Sequence, residues 1–121
     1  MFLPNVEKVV IPIGKFLNYS LCYDRDPNKA TAFELALGYT KSNAVILVES
    51  IRRNVGKDEA ILKENNGYGD IYEVRMNLKG ENGKTANVMT CWIIENGTDY
   101  PRLTNAYVTN KKTRRWVKNE T

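Results

Sequence analysis

The chain has 121 residues, 42% of them hydrophobic and 10% aromatic, which suits one folded domain with a single hydrophobic core. It contains no histidine, which excludes histidine-based metal sites, Ser-His-Asp triads and the commonest general base near neutral pH. The net charge is +4. Five of the 18 cations and one of the 14 anions lie in residues 109–121, so residues 1–108 carry 13 of each sign and are neutral.

The sequence carries signals about location and redox state. No apolar run approaches the roughly 18 residues of a membrane span, and the N-terminus lacks the basic flank and long apolar core of an export signal. We therefore expect a cytoplasmic location, in the producing or in a target cell, and no membrane partner. Cys22 and Cys91 could form one disulfide, but Cys91 lies in an apolar strand where a free thiol packs well, which favours reduced cysteines.

The beginning of the chain predicts an extended segment and then a short helix. Residues 9–13 form a β-branched run that Pro12 interrupts, which is typical of an edge strand or of an extended entry to a sheet. Residues 14–21 then predict a short helix that carries Lys15. This segment is expected at the edge of a sheet.

Two longer helices follow. Residues 29–37 place their apolar side chains on one helical face, and Gly38 ends the pattern as a C-terminal cap would. A second stripe at spacings of three and four, in residues 44–51, predicts another helix that Gly56 closes. The first half of the domain is therefore expected to be helical.

The second half predicts antiparallel strands. Residues 60–62 and the turn residues 65–67 predict a strand and a hairpin. Residues 72–78 alternate between apolar and polar side chains, which is typical of a strand with one buried face. Residues 86–94 are apolar on both faces, and we therefore expect them to form a central strand.

The last strand is predicted to begin at Pro101, after a turn at residues 96–99. Simple alternation would give it one face with Leu103, Asn105 and Tyr107 and another with Thr104, Ala106 and Val108. Helices followed by strands predict an α+β fold, with two to three N-terminal helices packed on a four-stranded antiparallel meander. We assign residues 1–108 to this domain and residues 109–121 to a basic C-terminal tail.

The tail combines cations with one aromatic residue, a composition that attracts a phosphate backbone and allows a base to stack. A solvated segment that keeps the protein soluble is the alternative. The residues predicted to bind nucleic acid here are Lys111, Lys112, Arg114, Arg115 and Trp116.

Four segments in order, LPNVEKVVIPIGKF, DPNKATAFELALGYT, NGYGDIYEVRMNLKGENGKTANVMTCW and PRLTNAYV, carry a family resemblance. Over residues 3–108 the chain resembles a domain family of uncertain function that ends contact-dependent and other polymorphic bacterial toxins and some phage head-morphogenesis proteins. The most specific parts are G-x-x-G-K-T-A with T-x-W, in residues 80–92, and P-R-L-T-x-A-Y, in residues 101–107. Cys91 stands where that family usually has a plain apolar residue.

Such domains are similar in layout to the ribonuclease superfamily of barnase, EndoU, the colicin tRNases and RelE, at the level of fold analogy. That likeness implies a metal-independent ribonuclease toxin domain that cleaves tRNA or another RNA by attack of a ribose 2′-hydroxyl. It implies no metal and no organic cofactor. The partners it implies are RNA and an acidic immunity protein, and we expect a monomer.

The matched positions imply a set of catalytic residues: Lys15, Lys29, Thr90, Arg102, Thr104 and Tyr107. The two lysines would reach the scissile phosphate, and one of them could act as base. The arginine would clamp phosphate oxygens in a bidentate manner. The threonines would hydrogen-bond the phosphate or the 2′-hydroxyl, and the tyrosine would stack a base or donate a proton.

Each of these residues also has a structural alternative. The lysines could be solvated helix residues, the arginine could pair with Glu95 or Asp99, and threonine and tyrosine are common strand residues. In the strand predicted over residues 72–78, Glu73 is a further candidate base and Arg75 is a second candidate phosphate ligand. Alternatively, the two side chains could form an ion pair that faces water.

Lys84 completes the predicted nucleic-acid-binding residues, although its glycine-containing segment reads as a hairpin turn rather than as a P-loop. The missing histidine and the lack of an obvious acid and base pair leave a second function open. In that alternative, the domain is a noncatalytic module that binds nucleic acid or protein in a phage structural context.

Overall fold

The computed structural model describes residues 1–109, so the predicted nucleic-acid-binding residues of the tail lie outside the described part of the chain. The fold is α+β, as predicted, with its helices N-terminal to one four-stranded antiparallel sheet. Its main elements are helices α1 (Pro27–Leu37) and α2 (Ala44–Asn54) and strands β1 (Ala60–Asn65), β2 (Gly69–Lys79), β3 (Thr85–Glu95) and β4 (Arg102–Thr109).

The strands pair in the order β1-β2-β3-β4, which confirms the predicted meander. Short helical turns complete the described chain, at Val6–Lys8, Phe16–Ser20 and Lys41–Asn43. Among residues 1–109, no helix has both the length and the apolar character needed to cross a membrane.

Helix α1 begins and ends at capping residues that the sequence supplies. The Asp26 side chain accepts a hydrogen bond from the Lys29 backbone N–H at 3.2 Å, and Pro27, which lacks an N–H, occupies the first turn. Gly38 closes the helix with a positive φ of 77°. The Asp26 cap matters for the site, because it fixes the first turn of α1, which carries Lys29.

The core lies between the helices and one face of the sheet, which we call the inner face. Helix α1 contributes Phe33 and Leu37, and α2 contributes the predicted stripe. The sheet contributes the apolar positions predicted from alternation in β2 and β3. The largest fully buried side chains include Trp92, Phe16, Phe33, Leu47, Met76 and Leu103. The opposite surface of the sheet, the outer face, carries Glu73, Arg75, Met89, Cys91 and Tyr107.

Strand β4 departs from simple alternation. Thr90 pairs with Ala106 and Cys91 pairs with Asn105, but Trp92 pairs with Leu103, so Thr104 is an extra residue opposite β3. This β-bulge moves Leu103, predicted to share a face with Asn105 and Tyr107, onto the inner face, where it is fully buried. The predicted facing of this strand was therefore wrong at its start. The bulge keeps Leu103 in the core while Asn105 and Tyr107 stay on the outer face.

The segment before α1 covers the free edge of β4. Val10 forms a parallel bridge with Arg102: its N–H donates to the Pro101 carbonyl, and its own carbonyl accepts from the Leu103 N–H, both at 2.9 Å. Farther along, the Ser20 hydroxyl donates to the Ala106 carbonyl at 3.0 Å. The prediction of an extended entry followed by a short helix is confirmed, and that helix is held against β4.

Candidate functional site

A cleft opens where the short helix, the first turn of α1 and the bulged part of β4 meet. Its volume is about 210 Å³. Three predicted catalytic residues, Lys15, Lys29 and Thr104, line it. The other lining residues, Tyr19, Ser20 and Asn105, were not predicted as site residues. We call this space the β4 cleft.

Lys29 occupies the boundary between the β4 cleft and the outer face. Its ammonium donates to Asn105 Oδ1 at 2.9 Å and lies 3.7 Å from an Asp26 carboxylate oxygen. The same ammonium lies 5.6 Å from the centroid of the Tyr107 ring, within the range of a cation–π contact. The side chain is 29% exposed, so a ligand in the cleft can reach the charge. Lys29 therefore links the predicted Tyr107 to the cleft.

Tyr19 forms an aromatic wall next to two cations. Lys15 Nζ lies 5.8 Å and Arg25 Cζ lies 5.1 Å from its ring centroid. The residue is 46% exposed, although tyrosines in folded domains usually bury most of their ring. The sequence did contain one signal for this contact, because Lys15 and Tyr19 stand four residues apart in a predicted helix.

The hydroxyls that line the cleft are oriented by the backbone. Thr104 Oγ1 donates to the Cys91 carbonyl at 3.2 Å, and Ser20 Oγ donates to the Ala106 carbonyl. Each hydroxyl therefore donates its single proton to a strand carbonyl. The Thr104 oxygen is half-buried and can still accept a hydrogen bond from a ligand, whereas Ser20 is buried beneath the cleft wall.

The outer face next to the cleft carries a group of ionisable side chains. Burial raises the pKa of Tyr107, and Cys91 and Glu73 act in the same direction, whereas Arg75 acts against them. Burial and then Glu73 raise the pKa of Cys91 to about 11, and Lys29 opposes that rise. Both groups therefore stay protonated near neutral pH.

Arg75 lies on the same face. Its Nε is buried and has no hydrogen-bond partner among the described residues, which leaves an unsatisfied donor there. Glu73, predicted either as a base or as an ion-pair partner of Arg75, lies instead 3.9 Å from Lys63 Nζ.

Thr90 does not lie on this surface, although the sequence placed it among the catalytic residues. It is fully buried on the inner face, where its hydroxyl donates to the Val74 carbonyl and accepts from Trp92 Nε1, both at 2.8 Å. A ligand cannot reach it without opening the core. Its role is to satisfy the indole N–H of Trp92, which otherwise would be buried without a partner.

Two further predicted cations lie outside the β4 cleft. Arg102 pairs with Glu95 at 3.3 Å, which is one of the alternatives that the sequence left open. Lys84 lies in the turn before β3 and is exposed. Neither residue lines the cleft. Both cysteines are free thiols, as expected.

The site contains no evident ligand set for a metal ion. Among residues 1–109, no group of three or more Cys, Asp or Glu side chains is arranged to hold one. The cleft instead offers ammonium groups, an amide, hydroxyl oxygens and an aromatic ring. Such groups can bind an anionic ligand that also has a planar ring.

The fold and the cleft define the class of protein, an α+β domain with a cationic, aromatic-lined cleft at the edge strand of its sheet. The chain belongs to the family described as a domain of unknown function, DUF6883, which matches residues 2–110. No curated protein and no solved structure matches the chain.

Proposed function

We propose that this domain is a metal-independent ribonuclease that binds RNA at the β4 cleft and cleaves it by attack of a ribose 2′-hydroxyl on the neighbouring phosphodiester. One observation carries the proposal. Lys15, Lys29 and Thr104, chosen from the sequence as catalytic, line one cleft, and Tyr107 lies against Lys29 at its border.

The charge and shape of the site suit an RNA backbone. Lys15, Arg25 and Lys29 surround the cleft or its aromatic wall, and Arg75 adds a half-buried guanidinium on the adjoining face. Ammonium and guanidinium groups are the usual protein ligands of phosphate oxygens. Exposed aromatic rings beside such cations are typical of sites that bind unstacked bases.

The proposed reaction assigns a role to each group. The 2′-oxygen forms a bond to phosphorus while the bond from phosphorus to the 5′-oxygen breaks, which leaves a 2′,3′-cyclic phosphate and a 5′-hydroxyl. Glu73 accepts the 2′-hydroxyl proton, and Tyr107 donates a proton to the leaving oxygen. The raised pKa of Tyr107 keeps that proton in place at neutral pH. Lys29 and Lys15 stabilise the extra negative charge on the phosphorane.

The biological role that we propose rests on the sequence resemblance to toxin domains. The domain would act on RNA, including tRNA, in the cytoplasm of a target cell as a monomer. An acidic immunity protein would neutralise it by covering the cations of the β4 cleft, since complementary charge favours fast and specific association.

A second function is favoured by two specific contacts. Thr90 is buried and Arg102 is paired with Glu95, so two of the predicted catalytic residues are engaged in the fold. In this alternative the β4 cleft holds nucleic acid or protein without cleaving it, as part of a phage structural protein.

The test is incubation of the purified chain with cellular RNA in EDTA. We expect discrete fragments that end in 2′,3′-cyclic phosphate. Tyr107→Phe, which keeps the ring and removes only the hydroxyl, should slow cleavage about 100-fold or more with little loss of RNA affinity. Tyr68→Phe, on the exposed tip of the first hairpin, is the matched control and should cleave normally.

The other outcomes separate the alternatives. Intact RNA that is nevertheless bound by the parent chain would favour the noncatalytic module. Equal cleavage by parent and Tyr107→Phe would remove Tyr107 from the chemistry. RNA that is neither bound nor cleaved at low salt would contradict both functions.

A further inference from the structure

We infer that the β4 cleft holds one unpaired nucleotide, so that the RNA taken by this site is single-stranded or looped rather than duplex; this inference rests on the proposed RNA-binding function. Three features of the cleft carry it: its size, the orientation of the Asn105 amide, and the exposed Tyr19 ring.

The cleft is too small for a whole ligand of drug size. At about 210 Å³ it falls below the roughly 300–1,000 Å³ of pockets that enclose entire small molecules. It can take a flat group such as a base, while the attached sugar and phosphate lie at the rim near Lys15 and Lys29. A duplex presents its phosphates on a convex surface and keeps its bases stacked inside, so it cannot fill a concave site of this kind.

The Asn105 amide is oriented by two donors. Its Oδ1 accepts from the Lys29 ammonium and from the Ala106 backbone N–H, each at 2.9 Å. Both donors require an oxygen at that position, so the amide cannot be flipped. Its Nδ2 has no partner among the described residues, and the residue is only half-buried in the cleft wall. Two N–H donors are therefore available to a ligand.

Together with this amide, the Thr104 hydroxyl completes a mixed polar edge. Thr104 donates its proton to a strand carbonyl and can only accept from a ligand, while the buried Ser20 hydroxyl donates to the Ala106 carbonyl and supports the wall from behind. The cleft thus presents donors next to acceptors, and the pairing edge of a nucleobase presents acceptors next to donors. In a duplex those edges are already paired, so only an unpaired base can use this wall.

Tyr19 supplies a surface on which that base can stack. The ring is 46% exposed, and Lys15 and Arg25, which lie over it, can move from the ring to the phosphate of the same nucleotide when a base stacks there. Stacking on an aromatic side chain is worth about 5- to 100-fold in affinity per base. A duplex would gain nothing from the ring.

The test measures binding of two fluorescent probes in EDTA by anisotropy: a short 2′-O-methyl oligoribonucleotide, which cannot be cleaved, and the same strand paired with its complement. We expect the single strand to bind about 10-fold or more tightly than the duplex. Tyr19→Ala should weaken the single strand about 5- to 100-fold and leave the duplex unchanged. Asn105→Ala, which removes the Nδ2 donors without adding a negative charge, should also weaken the single strand selectively. Tyr68→Ala is the control.

Each result bears on the inference separately from the proposed function. The unpaired-nucleotide site would be overturned if the parent chain bound both probes with equal affinity, or if Tyr19→Ala lost the same affinity for the duplex as for the single strand. RNA binding itself would still stand. If neither probe binds at low salt, the proposed function is overturned instead. If a variant fails to unfold cooperatively, the comparison of the two probes on the parent chain still decides the inference.

Discussion

Removing Lys15 and Lys29 together, as Lys15→Ala with Lys29→Ala, is expected to weaken RNA binding about 100-fold at low salt. The two ammonium groups stand at one cleft, and hydrogen bonds to charged groups contribute about 1.5–3 kcal/mol each. The plot of log affinity against log salt should also lose a slope of about 2, because two phosphate contacts disappear. Anisotropy titrations across a range of salt concentrations measure both quantities.

The matched control removes the same charge from residues that do not line the cleft. Arg53 and Lys57 are exposed at the end of α2 and in the turn after it, and their double alanine variant should bind RNA with a loss of less than about 10-fold. An equal loss in both double variants would mean that binding follows net charge rather than the cleft. Lys29→Ala removes the partly exposed ion pair with Asp26 and also the hydrogen bond to Asn105 Oδ1, so the cost in stability should be about 1–2 kcal/mol.

Thr90→Val is expected to lower the free energy of unfolding by about 3 kcal/mol. The substitution keeps the shape but deletes the hydrogen bond to the Val74 carbonyl and leaves the buried Trp92 indole N–H without an acceptor. Thr90→Ser keeps the hydroxyl and loses only one methyl group, so it should cost about 1 kcal/mol. Urea unfolding, with RNA affinity measured on the folded protein, checks both variants.

This pair of variants also tests the assignment of Thr90 to the core. The folded fraction of Thr90→Val should bind and cleave RNA like the parent chain. A variant that unfolds at the same urea concentration as the parent but no longer cleaves RNA would return Thr90 to the catalytic site.

Much of the fold could be predicted because capping residues and regular alternation identify the helices and strands locally. Asp26 and Pro27 start α1 and Gly38 ends it, each through a local conformational preference. In β2 the regular alternation of apolar and polar side chains matches the pleat of a strand with one buried face. These signals are local, so they can be read without knowledge of the tertiary structure.

The bulge in β4 could not be read in the same way. An extra residue at Thr104 leaves the alternation on each side intact, and only the pairing with β3 reveals that Leu103 has changed face. Thr90 was misleading for a related reason. A polar residue in a strand looks available to a ligand, although alternation places Thr90 on the same face as Trp92, whose indole uses it as an acceptor.

The candidate site was predicted in part. Lys15, Lys29 and Thr104 do line one cleft, yet the residues that shape it were missed because they come from separate elements. Asn105 is a lone amide in a strand, which is no local signal of a site, and its role depends on a lysine 76 residues away. Arg102 fits either a phosphate clamp or an ion pair with Glu95 by sequence, and the geometry of the β3–β4 turn decides for the ion pair.

The central claim is that RNA occupies the β4 cleft, and an NMR titration of the isotopically labelled chain with the uncleavable single strand tests it most directly. We expect the largest backbone amide shifts in residues 14–20, at Lys29 and in residues 103–107. Shifts centred on α2 and β1, with these segments unchanged at saturating RNA, would contradict the account.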